Sequence, residues 1–324
     1  FSVGCCCVAM DPVDFRKKQT ECSWKDDRKL KRASEIFRCH VFSLTVSMFC
    51  GLFFLLSSPR VSQILRTTGN SSGKYLSFSR YLKTLLHTWS WFDGEIWRDG
   101  SPARRSLEAV RRVHRAVQTK AARSNTPLIS QREMVLTQFG FMGLALIKPH
   151  QLGLSLTRDD HACLVHFWRY VGHLSGVDDE VNMCQGSLEE VEATCRRILE
   201  HEVLPGLSSP SQDTVHLSKD LMDGMVCLLP LIVPRSFAAF VAGLLGLNPR
   251  WSKVGLFPYL YFLFMRCVFE FLLIRTWSAI IIRPLLGLLL RLLVHVHLMA
   301  PKIHRNPTIS LTCPWEGTFS SVVH

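Results

Sequence analysis

Three helix-start signals stand along the middle of this chain, each followed by apolar residues recurring every three or four positions, and no sustained period-two alternation occurs anywhere. That pattern restricts the sequence to an all-α fold. Ser130-Gln-Arg-Glu133 is a capping box, with a serine oxygen placed to accept from a free amide and a glutamate placed to reach back; behind it lie Val135, Phe139, Met142 and Leu146. Thr157 caps a helix expected to run through His166, Trp168 and Val171 to about Leu174, with Gly176 placed to stop it. Ser187-Leu-Glu-Glu190 opens another through Val191, Cys195 and Ile198. Upstream, Tyr75 to Trp91 is apolar on most faces, and Ala103 to Ala122 is amphipathic with a stripe of Leu107, Val110, Val113 and Val117.

The flanks raise a second question. The chain has 324 residues, 48% of them apolar, with a net charge of +12 and a mean hydropathy of +0.15. Residues 16–38 hold nine Lys/Arg against four acids, followed at once by nineteen uncharged residues from Val41 to Pro59, long enough to cross a bilayer or to form a buried helix. Leu256 to Met299 is also apolar but punctuated by Arg266, Glu270, Arg275, Arg283 and Arg291, which reads as core or interface-lying helices with snorkelling arginines, and Pro284 is expected to kink or break the run. Basic residues beside apolar runs point to a membrane surface and not to nucleic acid. The division expected is a basic tail over 1–40, an apolar helix and possible membrane anchor over 41–59, one all-α domain over 60–300 and a tail over 301–324. Within the domain the motifs fall in 75–205 and apolar helices in 215–300.

Cysteine usage gives neither a disulfide framework nor a zinc spacing; the adjacent Cys5, Cys6 and Cys7 allow acylation. Thr67 to Gly73 reads as a loop in which Asn70-Ser71-Ser72 has the form of a glycosylation sequon. Met10 is a candidate start. Phosphate-cradling loops, the dinucleotide fingerprint, the nucleophile elbow and HExxH are all missing from the sequence.

Chemistry is therefore sought in polar residues set into apolar helices. His114 shares a helix face with Val110, Val117 and Ala121, so its imidazole points inward, as a ligand or as a core histidine bonded to a carbonyl. Arg80, Lys83 and Thr84 lie one turn apart on a helix rich in Leu, Phe and Trp. A buried lysine there turns neutral and becomes a base or ligand, whereas an interface lysine snorkels to water. His166 and His173, seven apart with Tyr170 between them, offer the alternative of a non-haem iron site, which normally adds a carboxylate.

Together these residues resemble a known family. Arg80-x-x-Lys83-Thr84, followed thirty residues later by His114 in VRRVHRAV, is similar to the haem site of the rubber oxygenases (latex-clearing proteins). QREMVLTQFGFMGL and VHFWRYVGHLSGVDDEVNMC resemble the wider group that includes the mpaB-type oxygenases of the endoplasmic reticulum. The resemblance implies an all-α bundle enclosing a b-type haem, with His114 as proximal iron ligand, Lys83 on the distal side, Arg80 and Thr84 supporting the distal pocket, and Arg169 of the WRxxG pattern meeting a propionate. It also implies cleavage of a carbon–carbon double bond in an apolar isoprenoid or lipid substrate with dioxygen, at a membrane such as that of the endoplasmic reticulum. One departure stands out: rubber oxygenases have a glutamate shortly before the Arg-x-x-Lys-Thr segment, assigned as the catalytic base, and here no acid occurs between Ile36 and Phe92. A catalytically inactive membrane protein that retains the oxygenase fold is the competing expectation.

Overall fold

The computed structural model describes residues 10–17, 19–68, 73–124, 126–228, 232–247 and 255–299. The Cys5–Cys7 cluster, the sequon and the tail from 301 onward lie outside the described residues. Among the described residues the structure is helical, with one isolated β-bridge, Pro12 to Ser130.

The basic stretch 16–38 is more than a tail. Asp26 caps helix α1 (Asp27–Cys39) by accepting from the Arg28 and Lys29 amides, and the apolar positions Leu30, Ala33, Ile36 and Phe37 turn inward together while the cations stay outside. A bend of 94° at His40 leads into α2 (Val41–Leu55), the uncharged segment. Twelve of its residues are buried, so its apolar character is used inside the bundle. After α3 (Pro59–Thr67) come α4 (Lys74–Asp93) and α5 (Pro102–Arg123), the latter capped by Ser101. Next is α6 (Gln131–Gln138), which continues through a widened turn, Phe139–Gly143, into Leu144–Ile147. The next two helices are α7 (Arg158–Ser175) and α8 (Leu188–Ile198). All three expected helix starts form, each as a capping box, and Gly176 ends α7 in a left-handed conformation, φ 102°.

Two close approaches set the packing. Helix α2 crosses the widened turn of α6 at Gly51 and Gly140, where a Cβ on Gly51 would stand 1.8 Å from the Gly140 carbonyl oxygen. On α7, a Cβ at Gly172 would meet the amide of Gln138 at 2.1 Å, so glycine leaves room for that side chain to donate to Trp168 O and to Asn182 Oδ1, both at 3.1 Å. Around these crossings Phe37, Phe92 and Phe167 stack in series, with ring separations of 4.3 and 3.9 Å. Buried residues from Val13 to Val294 form one continuous core.

The last third comprises α9 (Gln212–Leu228), α10 (Pro234–Leu244), α11 (Leu256–Arg266) and α12 (Thr276–Met299). Pro284 does not break α12: the helix runs through it, long enough on both sides to outlast one lost hydrogen bond. Helix α12 lies back along α4, with Arg291 over the Trp89 ring at 5.4 Å and Phe78 against His297 at 5.1 Å.

Candidate functional site

Helices α4 and α5 form an antiparallel pair, and their sequence pattern decides which residues meet. On α4, Phe78, Tyr81, Leu82, Leu85, Trp89 and Phe92 are buried toward the core. The neighbouring flank carries Arg80, Thr84 and His87 toward α5, where His87 Nδ1 and Ser106 Oγ stand 2.7 Å apart. On α5 the inward stripe is Ala103, Leu107, Val110, His114, Val117 and Ala121. Val113, expected on it, is 58% exposed, because it falls about a quarter of a turn off the middle of that line.

His114 stands at the centre of this pair. Its Nδ1 is enclosed and has no hydrogen-bond partner among the described residues. Burial, reinforced by the charges of Arg80 and Arg111, pushes its pKa down to about 4. At neutral pH the imidazole is thus uncharged and retains a lone pair, the state a metal ion requires. The core-histidine alternative, a bond to a carbonyl, is not what this ring makes.

The other members of the set are placed differently. Arg80 is half-buried and is the α4 cation whose charge is felt at His114. Thr84 is half-buried and returns its hydroxyl to Arg80 O at 3.1 Å. Lys83 points outward and is exposed, beside His87, whose pKa its charge helps to lower. Of the two readings of this lysine, the geometry matches the one that reaches water. Arg169 is bound by Asp179 through Nε at 3.0 Å and Nη2 at 2.6 Å, and its guanidinium lies 4.1 Å from the Trp24 ring centre. A propionate would have to displace Asp179.

His166 and His173 do not form a metal site. His166 Nε2 accepts from the Asp26 amide at 3.0 Å, and His173 Nε2 stands 2.9 Å from Thr20 O, with Trp24 packed edge-on against both rings. One nitrogen of each ring, Nε2, is engaged in tying the N-terminal segment to α7. Among the described residues no group of three metal-ligating side chains occurs.

Two features escaped the sequence reading. Residues 11–17 lie as a strap across α5. Val13 N donates to Ile129 O at 3.0 Å, Gln118 bonds Val13 O at 3.3 Å and Ile129 O at 3.1 Å, and Arg111 donates to Phe15 O, Lys17 O and Leu174 O. Phe15 covers His114, their rings 5.3 Å apart. The only signal was Val13 and Phe15 alternating with polar residues. Beside the strap, a groove of about 570 Å³ is bordered by Arg104, Arg111, Arg112 and Arg115. The second feature is an acid. Asp220 of α9 is half-buried against the start of α4, accepting from the Gly73 amide at 3.0 Å, and burial together with Asp223 raises its pKa. It stands some 140 positions away in sequence, where no local motif points to it.

What suits a haem in this arrangement is the donor chemistry of His114, whose unpartnered neutral nitrogen would serve as an iron ligand. A second cavity of about 20 Å³, room for one water, lies elsewhere among Trp89, Phe92, Trp168 and His161.

Comparison with known proteins places this geometry in context. The family model described as ER-bound oxygenase mpaB/B'/Rubber oxygenase, catalytic domain, matches residues 40–269. A solved structure of latex clearing protein LCP in the closed state is similar over 85% of this chain and 76% of its own, with a TM-score of 0.60 at 20% identity, a likeness of fold. No curated protein matches.

Proposed function

The chain belongs to the mpaB/rubber oxygenase catalytic-domain family, and from that premise we propose that it is a membrane-associated haem-dependent oxygenase. Its reaction in this reading is cleavage of a carbon–carbon double bond in an apolar isoprenoid or lipid substrate with dioxygen. The observation that supports it most is His114, a neutral imidazole with a free enclosed nitrogen in the helix pair where the family's haem motif falls. Haem bound there supplies the binding and activation of dioxygen.

The chain's own residues have definable tasks around it. His114 holds the iron. Burial, helped by the charge of Arg80, keeps the imidazole unprotonated. The apolar side chains of α4 and α5, with Phe15 above the ring, exclude water and favour an apolar substrate. Lys83 and Thr84 sit at the outer edge and along the flank of α4, where they stand ready to act on what enters from outside. Membrane association suits such a substrate, which partitions into lipid, and the family's description as bound to the endoplasmic reticulum supports that location.

One observation favours a second reading, a haem-binding protein without turnover: no acid occurs on α2, α3 or α4 before Asp93. The α9 carboxylate that packs against α4 is Asp220, bonded by the Gly73 amide and close enough to be felt at Tyr81. The test is dioxygen uptake by haem-loaded protein with polyisoprene and unsaturated lipids, together with detection of carbonyl products. Uptake with product is the expected result. Bound haem without uptake over that panel supports the second reading instead.

A further inference from the structure

Helices α11 and α12 expose more apolar surface than any other part of the described chain, and its shape identifies what covers it. On α12, Trp277, Ile281, Leu285, Leu288, Leu292 and Val296 are all more than half exposed. At 100° per residue, the exposed apolar side chains of this helix sweep about half the cylinder. A seam between two helices uses a narrower stripe, so a second copy of this chain would leave much of the arc uncovered. On α11, Phe257, Leu260 and Phe264 continue the same kind of surface.

Of the four arginines of this region, Arg283 is turned inward, while Arg266, Arg275 and Arg291 stay exposed, each engaged by a neighbouring side chain. Arg283 donates to Leu273 O at 2.7 Å, and Arg291 lies 3.8 Å from Asp93 and over Trp89. Arg266 pairs with Glu270, and Arg275 lies over the Phe271 ring at 5.5 Å. Between residues 255 and 299 four arginines face one acid, so the element is cationic around its apolar arc. Exposed Arg275 beside exposed Trp277 is the pairing of cation and aromatic ring that settles at the headgroup level of a bilayer.

Helix α12 has 24 residues, long enough to cross a membrane. Its other face nevertheless rests along the bundle: a Cβ on Gly287 would stand 3.0 Å from Val41, and Arg291 meets the end of α4. Crossing would carry the charged end of α4 into hydrocarbon, at a prohibitive cost. We propose that α11 and α12 lie in one leaflet of an anionic phospholipid bilayer, apolar arc inward, and hold the oxygenase domain at the surface from which its substrate would enter. The inference rests on the membrane-associated reading above and names the element responsible.

The test uses the full haem-supplemented chain and vesicles of phosphatidylcholine mixed with phosphatidylserine. Wild-type protein should float with the vesicles and remain bound in high salt, since burial of apolar area is little screened. The triple variant Trp277→Glu, Ile281→Glu, Leu288→Glu should lose at least about tenfold in bound-to-free ratio. Brominated acyl chains should quench part of the wild-type fluorescence, and Trp277→Phe, a mild exposed change, should remove that part. Flotation of the triple variant with unchanged quenching in Trp277→Phe would leave membrane association standing and overturn this assignment. Failure of the wild type to float would overturn membrane association itself, and a dimer dispersed by the same three substitutions would show that a second copy is the occupant.

Discussion

At the scale of single residues, His114 shares an enclosed, unpartnered ring nitrogen with His40 and His161, and what sets it apart is its place on the inward stripe of α5 facing α4. His87, His166 and His173 each have a polar partner for one ring nitrogen, whereas the enclosed nitrogen of His114 has none among the described residues. Helical spacing alone was enough to point this ring inward. It could not show that Lys83, three residues after Arg80, would face out, because α4 is apolar on most sides and its periodicity is weak. Lys83→Ala is therefore expected to leave the haem spectrum of loaded protein unchanged, where Arg80→Ala should shift it; a spectral change in Lys83→Ala comparable to loss of a ligand would contradict this placement. A second histidine gives a pH prediction. His40 is buried at the bend between α1 and α2, its Nδ1 unpartnered, and burial with the charge of Arg283 lowers its pKa to about 4. The unfolded chain then takes up its proton first as the solution is acidified, so stability present above pH 6.5 is lost as the pH falls toward 4. The loss amounts to about 3 kcal/mol for this one group. Thermal unfolding followed across that window should fall less steeply in His40→Leu than in the wild type.

At the scale of elements, helix existence and starts were legible, and crossings were not. The capping boxes at Ser130, Thr157 and Ser187 are local chemistry, readable from four residues each. The contact of Gly51 with Gly140 joins two segments ninety positions apart, and nothing near either glycine announces the other. The same limit explains why residues 41–59 read equally as a span or a core helix: composition is shared by both, and only the partners α1, α6 and α12 distinguish them. Gly51→Ala should force α2 off the widened turn of α6 and cost about 3 kcal/mol, seen as a lower midpoint in denaturant with an unchanged slope. A stability within experimental error of the wild type would mean that the two backbones have room to separate. The strap over α5 makes a milder prediction. Phe15→Ala removes the ring above His114 and should speed the access of small haem ligands such as cyanide, measured by stopped-flow absorption. Unchanged rates would show that Phe15 does not guard this face.

At the scale of the whole molecule, the positive mean hydropathy divides between two uses. Inside, one core joins strap, bundle and C-terminal helices. Outside, the apolar excess is concentrated on α11 and α12. The all-α class was evident from periodicity, and the candidate site was suggested only through resemblance, since an unpartnered imidazole such as that of His114 arises from tertiary packing. The central claim is that His114 holds a haem iron, and the most direct measurement is the absorption spectrum of the full chain purified after haem-supplemented expression, beside that of His114→Ala. The account predicts a Soret band in the wild type that is lost in the folded variant. Absence of the band from the wild type, or an unaltered band in His114→Ala, would contradict it.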